Sequence, residues 1–159
     1  MTLMFDPIFS RILVAYDGSE PSKRALDLAA KTAAMFKGDL VILTVVSRTT
    51  LPIFAEAGEV ESSMRMADIQ KYLDKREEFS RKALENAEAE VRMRYPDLKF
   101  EAVLMEGRPA ETIVEEAERR DANLIILGSR GLGGITGWIL GSTSREVANR
   151  CTKPILIVK

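Results

Sequence analysis

Apolar and polar residues follow two different periods along this chain, and the switches between them outline its elements. Residues 11–16, RILVAY, are a short run rich in aliphatic side chains, stopped by Asp17, Gly18 and Ser19 with turn and cap chemistry. This predicts a buried first strand. Ser19 and Glu20 then precede Pro21, a residue favoured in the first helical turn, and Ala25, Leu28, Ala29, Thr32, Ala33 and Phe36 recur at helical spacing. A helix over 21–36 is expected, ended by Gly38. DLVILTVVS, 39–47, is a second apolar run whose β-branched residues favour a strand.

Residues 48–68 have no clear period, and a long, mobile connection is expected there. From about Asp68 to Arg94 the composition turns to Glu, Lys, Arg, Ala and Leu. Phe79, Ala83, Ala87 and Val91 form one apolar face of a long second helix whose charged side reads as solvated. FEAVLME, 100–106, alternates like a half-exposed or edge strand. After Gly107 and Pro109 a third helix should bury Ala110, Ile113, Val114 and Ala117, and its Arg-rich end suits the negative pole of the helix dipole. ANLIILG, 122–128, reads as an uninterrupted strand, a short helix is expected around 144–150, and PILIVK, 154–159, closes the chain as a fifth strand.

The order βαβαβαβαβ predicts an α/β fold: a single five-stranded parallel sheet, doubly wound and Rossmann-like, with right-handed crossovers. Ligands in such sheets sit at the carboxyl ends of the strands where strand order reverses. The 159 residues suit one domain with a core of its own.

Charge narrows the function. Lys and Arg total 23 against 24 for Asp and Glu, so no long-range field draws in nucleic acid. No apolar run spans a bilayer, and the opening MTLMFDPIFSR lacks the basic end and apolar middle of an export signal. Cys151 is the single cysteine, which agrees with a reducing compartment, and a cytoplasmic location is expected. Cys151 itself should continue the apolar face of the last helix with Val147 and Ala148. The chain has no histidine, which removes Ser/His and Cys/His catalysis and the histidine-containing zinc sites.

The chemistry concentrates in GSRGLGGITGWILGSTS, residues 128–144, which holds six of the ten glycines. Glycine loses the most backbone entropy on ordering, so such a cluster beside a strand end implies close backbone approach or positive φ. Exposed amides there, with the positive end of the helix beginning near Ser142, suit phosphate oxygens. Ser142, Thr143 and Ser144 add hydroxyls that can cap the helix, donate to a phosphate, or do both. Arg130 can pair with phosphate or stay solvated, and Arg108 is a similar case; Trp138 should pack against the domain. Two common signatures are absent. Ser142 stands where a Walker A motif needs lysine, and Thr136 where the dinucleotide pattern needs glycine.

The spacing Gly128, two residues, Gly131, nine residues, Gly141 and Ser142 resembles the ATP-binding subgroup of the universal stress protein family. The resemblance extends through the first strand with Asp17, the 107–109 turn and the closing KPILIVK. It implies that Ala15, Asp17 and Val45 surround the adenosine, while Gly128, Gly131, Gly141, Ser142, Thr143 and Ser144 hold ribose and phosphates. By chemistry alone, Asp17 serves equally well as a helix cap. Three functions are therefore expected to compete: a nucleotide-dependent stress-response module binding ATP or ADP with Mg or Mn; a slow ATPase or autophosphorylating enzyme; and a nucleotide-free interaction dimer. The family implies homodimers, often through the terminal strand, and 154–159 is an apolar sheet edge in the inferred order. No catalytic base, protein-only metal site or protein partner is identified.

Overall fold

A computed structural model describes residues 9–47, 66–132 and 140–159. The elements run β1 (Arg11–Ala15), α1 (Glu20–Phe36), β2 (Asp39–Val46), α2 (Met66–Arg94), β3 (Phe100–Glu106), α3 (Pro109–Arg119), β4 (Leu124–Gly128), α4 (Ser142–Arg150) and β5 (Ile155–Val158). The last three residues of the expected connection at 48–68 belong to α2; its remainder, with Gly133, Gly134, Gly137 and Trp138, lies outside the described residues.

All strands are parallel, in the order β3-β2-β1-β4-β5. Ile12, Leu13 and Val14 of β1 and all five residues of β4 are buried, because both strands are covered on both faces, and this explains their unbroken apolar runs. β3 and β5 are the edges and carry more polar or exposed positions, including Leu156 at 41% exposure.

Alternate residues of each strand feed two cores. Ile12, Val14, Ile42 and Ile126 pack with α1 and α2, whereas Leu13, Val41, Leu43 and Ile125 pack with α3 and Val147 of α4. Fully burying an aliphatic side chain contributes about 1.5–3 kcal/mol, so these two layers supply most of the driving force.

Helix α1 shows a rotated face relative to the expectation. Ser22, Ala25, Leu26, Ala29, Ala30 and Ala33 point inward, and Leu28 and Phe36 are exposed. The alanines let the helix lie close to the sheet, which leaves no room for the bulkier stripe; Phe36 instead meets Phe9, ring centroids 4.5 Å apart. The helix also stops differently. Lys37, not Gly38, takes the left-handed conformation, with φ 55°. Gly38 is required for another reason: a Cβ there would lie 2.0 Å from the Phe9 carbonyl oxygen.

In α3, Ala110, Ile113 and Ala117 are buried as expected, Val114 is half-buried, and Glu116 is buried too. The Arg-rich end serves that carboxylate. Arg119 donates to both Glu116 oxygens at 2.8 and 2.6 Å, Arg120 donates to Oε2 at 2.8 Å, and Arg120 also pairs with Glu101. Hydrogen bonds from Arg119 and then Arg120 overcome burial and hold the Glu116 carboxyl down at about 2. Val147 is fully buried, Ala148 is exposed, and Cys151 follows α4 half-buried against the second core.

Candidate functional site

Strand order reverses between β1 and β4, so the loops leaving their carboxyl ends diverge and a crevice opens there. Each wall is held by specific hydrogen bonds. At the β1 end, the Tyr16 amide donates to Leu43 O at 2.8 Å, and the buried Thr44 hydroxyl donates to Tyr16 O at 2.8 Å. Burial is the main cause that pushes the Tyr16 phenol up, opposed by the nearby Lys23 ammonium.

Asp17 joins two segments far apart in sequence. Its Oδ1 accepts the Ser19 amide at 3.0 Å, an Asx-type turn, and its Oδ2 accepts the Leu132 amide at 3.0 Å. The cap of α1 is Ser19, whose hydroxyl oxygen accepts the Ser22 amide at 3.3 Å and whose hydroxyl donates to Arg130 O at 3.3 Å. Gly18 between them has φ 85°, a conformation that excludes most side chains. The carboxylate thus ties the start of the glycine-rich loop to the first strand, while Ser19 caps the helix.

The far end of that loop is tied as firmly. The Gly141 amide donates to Ser129 O at 2.7 Å, the Ser129 amide to Val158 O at 2.6 Å, and the buried Ser144 hydroxyl to Gly128 O at 2.7 Å. Gly141 is the N-cap of α4 and offers no capping side chain, and no acidic residue occupies the first turn. The positive helix pole and its amides therefore lack side-chain compensation, the condition in which an anion is favoured.

The motif glycines separate by cause. A Cβ at Gly128 would lie 2.8 Å from Pro21 C and from Ser22 N, because α1 crosses the β4 end at that point. At Gly131 it would lie 2.6 Å from Asp17 Oδ2. At Gly141 the nearest atom, Arg130 Cα, is 3.3 Å away. None of these three is in the left-handed region; among the described glycines only Gly18 and Gly107 have positive φ. Close packing within the protein is thus a sufficient reason for two of them.

An open cleft of about 860 Å³ occupies the crevice, within the roughly 300–1,000 Å³ typical of small-molecule sites. Ala15, Asp17, Val45, Gly128, Arg130, Gly131, Gly141, Ser142, Thr143 and Ser144 all line it, drawn from three regions of the sequence. Ser142 is exposed and Thr143 half-buried, and both residues line the cleft; the proton of Ser144 is committed to Gly128 O.

Sequence reasoning missed several further walls. Arg76 and Ser80 of α2, Arg145 of α4, Tyr16 and Thr44 also line the cleft; Arg108, already a candidate from the sequence, lines it as expected, its guanidinium 3.9 Å from Glu111. Among the described residues the charged lining is Arg76, Arg108, Arg130 and Arg145 against Asp17 and Glu146, four cationic groups to two anionic ones on a chain whose net charge is −1. The i, i+4 spacing of Arg76 and Ser80 with the buried stripe of α2 was a signal for them, but only the position of the helix shows that they pass beyond the sheet. Among the described residues no group of three or more His, Cys, Asp or Glu gathers as a metal site, and no helix is long and apolar enough to cross a membrane.

Residues 9–159 match the universal stress protein family. The universal stress protein YxiE of Bacillus subtilis is 33% identical over 152 residues, covering 96% of this chain and all of the relative. Among solved structures, the universal stress protein UspA of Lactobacillus plantarum superposes with a TM-score of 0.78 at 20% identity, covering 95% of this chain and 98% of the other. A universal stress protein solved in complex with cAMP is 26% identical with a TM-score of 0.63, over 94% of this chain and 95% of the other. This chain belongs to the universal stress protein family.

Proposed function

We propose that this chain binds ATP in the cleft between the carboxyl ends of β1 and β4 and acts in the cytoplasm as a nucleotide-dependent stress-response module. The observation that carries the reading is the start of α4: a helix N-terminus without a capping side chain, with Ser142 and Thr143, in a cleft lined among the described residues by four arginines. Those groups fit a polyphosphate, since amides, hydroxyls and guanidiniums are all donors to phosphate oxygens. The apolar surfaces of Ala15, Val45 and Ile113 suit an adenosine body, and a family member of the same fold is known in complex with the adenine nucleotide cAMP. Mg or Mn would enter on the phosphates, whose charge it neutralises, rather than in a cage of protein carboxylates.

Binding is favoured over hydrolysis. Both Asp17 oxygens accept backbone amides, which stabilises the charged carboxylate and weakens it as a base for water or for the Ser142 and Thr143 hydroxyls, and the Ser144 hydroxyl is engaged with Gly128 O. Calorimetric titration of nucleotide-free protein with ATP, ADP, NAD and cAMP tests the site: ATP and ADP should saturate it one to one, and a flat titration with all four would sink the reading. ATP left intact after long incubation with magnesium is expected from the same preparation.

The proposed module is a homodimer through β5, residues 155–158, an apolar edge strand with Leu156 exposed. Sedimentation at micromolar concentration should give twice the monomer mass; a monomer there removes the dimer and leaves the nucleotide site standing.

A further inference from the structure

Helix α2 is 29 residues long, about 43 Å at 1.5 Å per residue, whereas the central strand β1 has five residues. Its second half is the part that packs. Leu84, Ala87 and Val91 enter the first core, and a Cβ built on Gly18 would touch Ala83 Cβ at 3.6 Å. Gly18 lies just past the carboxyl end of β1, so Ala83 marks the level at which α2 crosses the edge of the sheet. Every earlier residue of the helix stands above that edge.

Ser80 and Arg76 precede Ala83 by three and seven residues and so share its face. They sit about 4.5 and 10.5 Å further along the axis. Both line the nucleotide cleft, on the side opposite α4. The Arg76 guanidinium carbon stands 5.9 Å from the centre of the Tyr72 ring one turn earlier, a cation–π contact along the helix. Asp17, which lines the same cleft, grips the Leu132 amide at the entry to the glycine-rich loop.

We propose that Arg76, beside Tyr72 on the overhanging half of α2, reads the outermost phosphate of the bound nucleotide and makes the site rank ligands by phosphate number. The inference rests on the adenine-nucleotide reading of this cleft. A base and ribose held near the strand ends at Ala15, Asp17 and Val45 need nothing from a guanidinium that far above the sheet. A triphosphate extends a dense negative charge away from those ends, and a planar fork of donors matches its oxygens. A cyclic monophosphate cannot reach the same distance.

Calorimetry on the full chain with ATP, ADP, AMP and cAMP, at fixed magnesium and salt, compares the parent protein with Arg76→Gln and Arg76→Lys. Loss of one charge-assisted contact predicts about 10- to 100-fold weaker ATP binding in Arg76→Gln, with AMP and cAMP affinities unchanged. Arg76→Lys, a point charge without the fork, should recover part of the ATP affinity. Urea unfolding of each variant verifies the fold, since the side chain is outside both cores. A uniform loss across all four ligands, or unchanged ATP affinity, overturns the role of Arg76. If the parent protein binds AMP as tightly as ATP, this inference falls while the nucleotide site stands; if it binds none of the four, the site itself falls and the inference with it.

Discussion

The substitution Gly128→Ala separates a glycine kept for its ligand from one kept for its neighbours. The added methyl would lie 2.8 Å from Pro21 C and Ser22 N and 2.9 Å from Pro21 Cβ. Two of those three atoms are backbone at the start of α1 and cannot rotate aside, so the helix must shift off the β4 end. Overpacking of this kind costs about 1–3 kcal/mol. Alanine returns about 0.5 kcal/mol through reduced entropy of the unfolded chain, leaving a net loss of about 0.5–2.5 kcal/mol. For 159 residues each kcal/mol moves the melting temperature by about 2–4 °C, so a decrease of about 1–10 °C is expected. Thermal unfolding followed by circular dichroism on nucleotide-free protein is the assay, because the clash involves no ligand. Gly141→Ala is the control. Its methyl meets Arg130 Cα at 3.3 Å, a smaller overlap that asks the neighbour to give by only a few tenths of an ångström, and its φ of −68° suits alanine, so it should lower the melting temperature by less. A nucleotide-free Gly128→Ala protein that melts with the parent would refute the packing argument and return this glycine to the ligand.

Asp17→Ala removes the acceptor of both the Ser19 and Leu132 amides and should destabilise the protein by about 1–2 kcal/mol, a partly solvated case of charged hydrogen bonds. Faster hydrogen exchange at the Leu132 amide is the specific readout, and unchanged protection there would show that Asp17 does not hold the loop. Glu116 supplies a pH prediction. Its folded pKa, about 2, is below its ordinary 4.5, so the unfolded chain takes up the proton first as pH falls. The stabilisation is therefore complete above about 4.5 and is lost as pH drops from there through about 2. Urea unfolding should show Glu116→Gln less stable than the parent at neutral pH, with the gap closing across that window; a constant gap would mean that ionisation of Glu116 is irrelevant.

Much of the fold was legible because parallel α/β proteins encode burial directly in composition. β1 and β4 are covered on both faces, so ILV and LIIL read as strands without any alternation, and β3 at the edge reads through its alternation. Helix rotation was less legible. The expected face of α1 included Leu28 and Phe36, which is the choice hydrophobicity makes, whereas the sheet selects the alanine stripe because only small residues allow so close an approach. Gly38 was legible as a helix end but for the wrong atom: the left-handed residue is Lys37, and the glycine yields to the Phe9 carbonyl, a neighbour 29 residues away in sequence.

The amino-acid sequence by itself determined the element order, the all-parallel doubly wound sheet, and the glycine spacing of 128–142 that marks the family. These are local or periodic properties, set by side-chain volume, polarity and backbone freedom within a few residues. Tertiary structure decided what depends on distance across the fold. It brought Asp17 to the Leu132 amide over 115 residues, placed Gly128 against α1, and set α2 so that the continuation of its packed face carries Arg76 and Ser80 to the cleft. No period or motif encodes those meetings, because they follow from where rigid elements of unequal length come to rest once two cores are packed.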